Sequence, residues 1–187
     1  YMFTNSKAST IDFTNTNFKE VENAKSMFEN AKISSLDLKH VKFDKVKDFS
    51  NFFKNTTALT EANLSSIKFT SAEDLSSMFA YSRVENLTLN PQDMDGTHIT
   101  NMASMFEECY IKEVGLGRIR TGELTDTKSM FKGAYYLEKI TLPQVFNTSK
   151  VTDFSNMFAG IYSLTEINNI DKLDTTSALD MNHMFVT

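Results

Sequence analysis

The chain reads as an α/β repeat solenoid of about seven 25–27-residue repeats, with a parallel β-sheet on one face and short helices on the other. Three observations predict this. An apolar box returns at near-constant spacing, an eight-residue phrase with helical periodicity precedes each box, and a period-2 apolar pair follows it.

The box is Met2-Phe3, Met27-Phe28, Phe52-Phe53, Met78-Phe79, Met105-Phe106, Met130-Phe131, Met157-Phe158 and Met184-Phe185. Its second residues are separated by 25, 25, 26, 27, 25, 27 and 27 positions, so the eight boxes bound seven repeats. A unit this short cannot enclose its own core, and it becomes stable only by stacking on its neighbours. An apolar pair in every repeat is therefore read as a continuous core stripe, with Phe28, Phe79, Phe106, Phe131 and Phe158 in one buried ladder and Met as adaptable filler.

The phrase ahead of the box always carries Asn or Asp at its third place: Asn23, Asp48, Asp74, Asn101, Asp126, Asp153 and Asp180. A short side-chain acceptor in front of an apolar-periodic segment is an N-cap signal. Three residues on stands a polar residue suited to a capping box, as Ser26, Asn51 or Ser104. The fourth position is often apolar (Phe49, Leu75, Met102, Phe154, Met181), giving with the box the 4, 7, 8 spacing of one buried helical face. Seven short helices are expected.

After the box a small residue occupies the third place in most repeats: Ser6, Ala31, Thr56, Ser82, Cys109 and Ala134, with Ile161 as the exception. Then come the alternating pairs Ile11/Phe13, Leu36/Leu38, Ala62/Leu64, Leu87/Leu89, Val114/Leu116 and Ile140/Leu142, each a short half-buried strand. The last repeat departs, with Asn169 following Ile167. A further apolar anchor, Phe18, Phe43, Phe69, Met94, Ile119, Phe146 or Leu173, precedes the next phrase. Residues 1–187 are expected to form one solenoid, and a chain that begins and ends on a box is read as a fragment of a longer protein.

Chemistry is sparse. The net charge of -5 and the lack of a Lys/Arg block argue against a nucleic-acid groove or an anionic membrane as partner. No apolar stretch approaches the roughly 18 residues of a membrane span. Cys109 is the only cysteine, so it has no disulfide partner within the chain, and it is read as one rung of the small-residue column, buried and inert. His40, His98 and His183 occupy different positions of the repeat and assemble no metal triad. The run from Gly115 to Gly122 lacks the spacing of a nucleotide fingerprint. Asp12 and Asp37 stand on neighbouring strands without the further oxygen ligands that Ca2+ needs. No catalytic, cofactor or metal site is expected, and no enzyme.

What remains is the solvent side of the strands. Its columns supply the candidate partner-binding residues Asp12, Asp37, Lys39, Glu61, Asn63, Asn86, Thr88, Glu113, Lys139, Thr141, Glu166 and Asn168. In-register stacking would set successive members about 4.8 Å apart. The same platform includes Thr14, Ser65 and Asn90, and it carries no aromatic cluster.

The combination of Met-Phe, a small residue at the third place, Leu-x-Leu, Phe146-Asn147-Thr148, and Val151-Thr152-Asp153-Phe154-Ser155-Asn156-Met157-Phe158 resembles the BspA-like leucine-rich-repeat surface protein family over essentially the whole chain. The resemblance implies a leucine-rich-repeat-like parallel-sheet solenoid on secreted or lipid-anchored surface proteins linked to adhesion. The expected function is a non-enzymatic interaction module that binds an extracellular protein or other macromolecule, on a host or a neighbouring cell, through its repeat surface. The rival expectation is a structural spacer that displays another domain away from the cell surface.

Overall fold

A computed structural model describes residues 1–89 and 96–187, and Asn90 and Met94 lie outside them. The architecture is a parallel β-solenoid. Each repeat contributes one strand: β1 (Thr10–Ile11), β2 (Ser35–Leu36), β3 (Glu61–Leu64), β4 (Asn86–Leu89), β5 (Glu113–Gly115), β6 (Lys139–Thr141) and β7 (Glu166–Asn168). Among the described residues seven strands in sequence enclose six full turns of the coil. Pairing is parallel and in register, as in Ala62 opposite Leu87 and Ile140 opposite Ile167.

The predicted helices are not there. Among the described residues the only helical piece is a 3-10 turn at Ile170–Lys172. Each phrase instead forms a run of tight turns, and the backbone bonds explain why. In an α-helix every amide reaches back four residues within its own segment. Here the amides of Ala24, Ser26, Phe28 and Asn30 donate across to the next coil, to the carbonyls of Asp48, Ser50, Phe52 and Lys54, at 2.9 Å each. The amides between them, of Met27, Glu29 and Ala31, donate three residues back, to Ala24, Ser26 and Phe28. Alternate amides thus serve the stack and the turn, and both sets are satisfied.

This alternation needs left-handed backbone at two columns. Two residues before the box phenylalanine φ is 54° to 58°, at Ser26, Asn51, Ser77, Ser104, Ser129, Asn156 and His183. Two residues after it φ is 50° to 69°, at Asn5, Asn30, Asn55, Tyr81, Glu108, Gly133 and Gly160. Asn and Gly accept that region most readily, which accounts for their recurrence there. The predicted capping residues keep their acceptor role in changed surroundings. Asp48 Oδ1 accepts the Ser50 amide at 2.8 Å, and Asn101 and Asp153 do the same for Ala103 and Ser155, each closing an Asx-turn. The column also pairs with itself, in parallel bridges running unbroken from Asn23 through Asp48, Asp74, Asn101, Asp126 and Asp153 to Asp180.

The core lies between this bridge face and the strands. All eight box phenylalanines form one stack, with centroids of successive rings 5.2–5.6 Å apart and planes within 23°. Phe28, Phe53, Phe79, Phe106, Phe131 and Phe158 are buried, as are the anchors Phe18, Phe43, Phe69, Ile119 and Phe146. Cys109 is buried with its column neighbours Ser82 and Ala134. In the last repeat Asn169 adopts φ 62° and its Nδ2 donates to the Leu142 carbonyl, so a polar side chain ends β7 where other repeats bury an apolar one.

The strand face departs from the single sheet expected. Among the described residues it is three pieces, β1-β2, β3-β4 and β5-β6-β7. Coil stacking is held throughout by the bridge face, whereas the strands separate twice.

Candidate interaction surface

Nine of the twelve candidates stand on the solvent side of β3 to β7, while Asp12, Asp37 and Lys39 lie just past the ends of the two-residue strands β1 and β2. Asp12, Asp37, Lys39, Glu61, Asn86, Thr88, Glu113 and Glu166 are exposed, while Asn63, Lys139, Thr141 and Asn168 are half-buried. Pairing brings Glu61 beside Asn86, Asn63 beside Thr88, Lys139 beside Glu113 and Glu166, and Thr141 beside Asn168.

The two strand separations turn a flat platform into one with recesses. Between β2 and β3 lies a cavity of about 300 Å³ lined by Asp37, Lys39, Glu61 and Asn63 among others. Between β4 and β5 lies another, of about 410 Å³, lined by Asn86, Thr88, Lys112 and Glu113. Seven of the twelve candidates therefore sit in these two recesses. Periodicity alone gave no sign of them.

The candidates also differ in what they do for the fold. Asp12, Asp37 and Asn63 accept the amides of Thr14, Lys39 and Ser65 at 2.7, 2.9 and 3.1 Å, so this inner column closes the turn after each strand. The carboxyl of Asp12 is held below its ordinary value by the bonds from Thr14. Lys139 pairs with Glu166 at 3.0 Å, which raises the ammonium and lowers the carboxyl. Other axial pairs repeat the scheme: Lys47 with Glu73, Lys112 with Glu85, and Lys150 with Glu123, each joining successive coils. Exposed pairs of this kind contribute little stability singly and serve mainly to match coil to coil.

Among the described residues no group of three His, Cys, Asp or Glu side chains has the arrangement to hold a metal ion, and no helix is long and apolar enough to cross a membrane.

The sequence reading missed an aromatic feature beside this face. Tyr81, Tyr110, Tyr135, Tyr136 and Tyr162 are all exposed, on the arc between the box and the strand. Tyr110 stacks on Tyr136 at 4.9 Å and Tyr135 on Tyr162 at 5.8 Å, while the Arg83 guanidinium stands 5.8 Å from the Tyr110 ring centre. The signal was in the sequence: phenylalanine takes the repeating apolar places, and tyrosine falls outside them at the second, fourth or fifth place after the box.

No curated protein and no solved structure matches the chain. A family model does, twice, over residues 1–113 and 100–187, and together the two matches span the whole sequence. The chain therefore belongs to the family described as Mycoplasma protein of unknown function, DUF285.

Proposed function

We infer that this chain is a non-enzymatic interaction module that binds an extracellular macromolecule, of a host or a neighbouring cell, through its strand face. The observation that carries the reading is the placement of in-register polar side chains around two recesses on that face, since a repetitive surface with concavities gives a partner's side chains somewhere to enter. The resemblance of the repeat to BspA-like leucine-rich-repeat surface proteins supports placement at the cell surface or outside the cell, as a secreted or lipid-anchored protein. Residues fixed in every repeat are taken up by the core and the turns, which leaves the strand face to vary.

The experiment is binding of the labelled chain to intact host cells and to extracellular matrix. Glu61→Lys with Glu113→Lys reverses one charge in each recess without touching the turn-closing column. The double variant should lose binding at least tenfold at unchanged melting temperature. Undiminished binding by the variant removes the strand face from the reading.

A spacer role is the second reading, favoured by one observation. The bridge ladder from Asn23 to Asp180 is unbroken, and at about 4.8 Å per coil it makes an extended, laterally braced rod. Absence of binding to every surface tested would leave this role in place.

A further inference from the structure

A cavity of about 290 Å³ runs along the coil axis near the last repeats, beside the exposed tyrosines. The stacked rings of Tyr135 and Tyr162 line it, 47% and 70% exposed with planes 7° apart. Gly160 contributes bare backbone, Gly133 lies buried under the Glu108 side chain, and Lys132 and Asn156 stand on the box side by register. Glu108 and His183 complete its length.

The glycines are a choice that backbone geometry does not force. In the first three repeats the same left-handed column holds Asn5, Asn30 and Asn55. Their amides form a ladder, with Asn30 Nδ2 donating to Asn5 Oδ1 at 3.0 Å and Asn55 Nδ2 to Asn30 Oδ1 at 2.6 Å. Asparagine thus serves this backbone and covers it, whereas glycine at position 160 serves it and leaves it open. A Cβ on Gly160 would meet only Gly133 Cα and N, at 3.6 and 3.7 Å, which is ordinary contact. On Gly133 a Cβ would lie 2.8 Å from Glu108 Cγ and 3.6 Å from the Tyr135 hydroxyl, so that ring is folded back toward the glycine.

We propose that this groove binds a neutral oligosaccharide, laid along the coil axis. An extended peptide would look for free backbone edges, and here they are used: the Gly133 amide donates to Ala159 at 2.8 Å and the Gly160 amide to Val186 at 2.6 Å. The polar groups that remain are side chains of mixed kind, a carboxylate, an ammonium, an amide and phenolic hydroxyls, which suit a ligand whose every hydroxyl both donates and accepts. Lys132 is paired with Glu107 at 3.7 Å, which leaves Glu108 as the one carboxylate lining the groove, so a polyanion is disfavoured and a single charge is too little to select a polycation. Two parallel tyrosines supply apolar ring surface with a polar tip, matched to the apolar and hydroxylated sides of a sugar ring. Their ring centres stand 5.8 Å apart from one coil to the next, close to the advance per residue of an extended glycan. The site is separate from the strand face, and either stands without the other.

The test is an array of neutral oligosaccharides probed with the whole chain, followed by calorimetric titration with the best-retained hexasaccharide. Gly160→Asn restores at that position the residue of the first three repeats, and Tyr162→Ala removes the most exposed ring. Each should weaken binding at least tenfold, with melting temperature kept, while Tyr110→Ala and the Glu61→Lys, Glu113→Lys pair leave it unchanged. Three results would overturn the proposal: no neutral glycan retained, glycan binding that survives both groove variants, or groove variants that abolish binding to a protein and not to a glycan. Should Gly160→Asn fold poorly, Tyr162→Ala decides alone.

Discussion

Phe79 and Phe106 lie in successive coils with their ring planes parallel and their centroids 5.5 Å apart. The contact is one step of a stack that crosses every coil, and both rings are fully enclosed. Phe106→Ala would open a cavity bordered by Phe79 on one side and Phe131 on the other. Chemical denaturation should show a loss of roughly 3 to 5 kcal/mol. Because each repeat leans only on its neighbours, the transition should also broaden as the halves uncouple. A loss below 1 kcal/mol would mean the stack closes around the gap.

Asp153 tests the turn run. Its Oδ1 accepts the Ser155 amide at 2.8 Å, so Asp153→Ala should lower stability by about 1 kcal/mol. Asp153→Asn, the residue type of Asn23 and Asn101 in the same column, should keep most of it. An alanine variant as stable as the parent chain would show that the bond contributes nothing.

The same residue sets a pH dependence. Burial raises the Asp153 carboxyl, but Ser155 and Lys128 outweigh it and hold the group below its ordinary 3.8. A folded value below the unfolded one means that the stability it contributes is present above about pH 4 and is lost as pH falls through the folded value. Denaturation midpoints measured from pH 6 downward should therefore fall less steeply for Asp153→Asn than for the parent chain. Equal slopes would assign the acid sensitivity to other carboxylates, of which Asp12 and Asp174 are also lowered by bonds to Thr14 and Thr176.

Thr127 sits fully buried in the column that elsewhere holds Phe49, Leu75, Met102 and Phe154, and its hydroxyl has no hydrogen-bond partner. A buried hydroxyl without a partner costs on the order of 1 to 3 kcal/mol. Thr127→Val keeps the shape and removes the cost, so the melting temperature should rise. A fall would show that the oxygen is satisfied by a bound water.

Cys109 should resist thiol reagents in the native state. Burial pushes its thiol up to about 12, so almost no thiolate exists at neutral pH, and the side chain is 2% exposed. Labelling with a colourimetric disulfide reagent should proceed only at the rate of opening and accelerate sharply in denaturant. Immediate stoichiometric labelling would contradict the placement.

The sequence by itself determined the period, the stacking direction, the phenylalanine ladder, the strand register and the acceptor role of Asp153 and its equivalents, because each follows from residue types repeated at fixed spacing. It did not determine what the phrase before the box would become. Eight residues with apolar places at 4, 7 and 8 fit one helical face, yet a segment that short is a marginal helix. The next coil offers the amides of Ser26 and Phe28 a carbonyl each, and a neighbour's carbonyl is invisible to local periodicity. The recurrence of Ser26 with Asn51 and of Asn30 with Gly133, at places that require positive φ, was the legible trace of the turn run. The interruptions of the strand face, and the groove that Gly160 leaves open beside Tyr162, were decided by tertiary structure alone, since both depend on how far one coil stands from the next and on which side chains fill the space between.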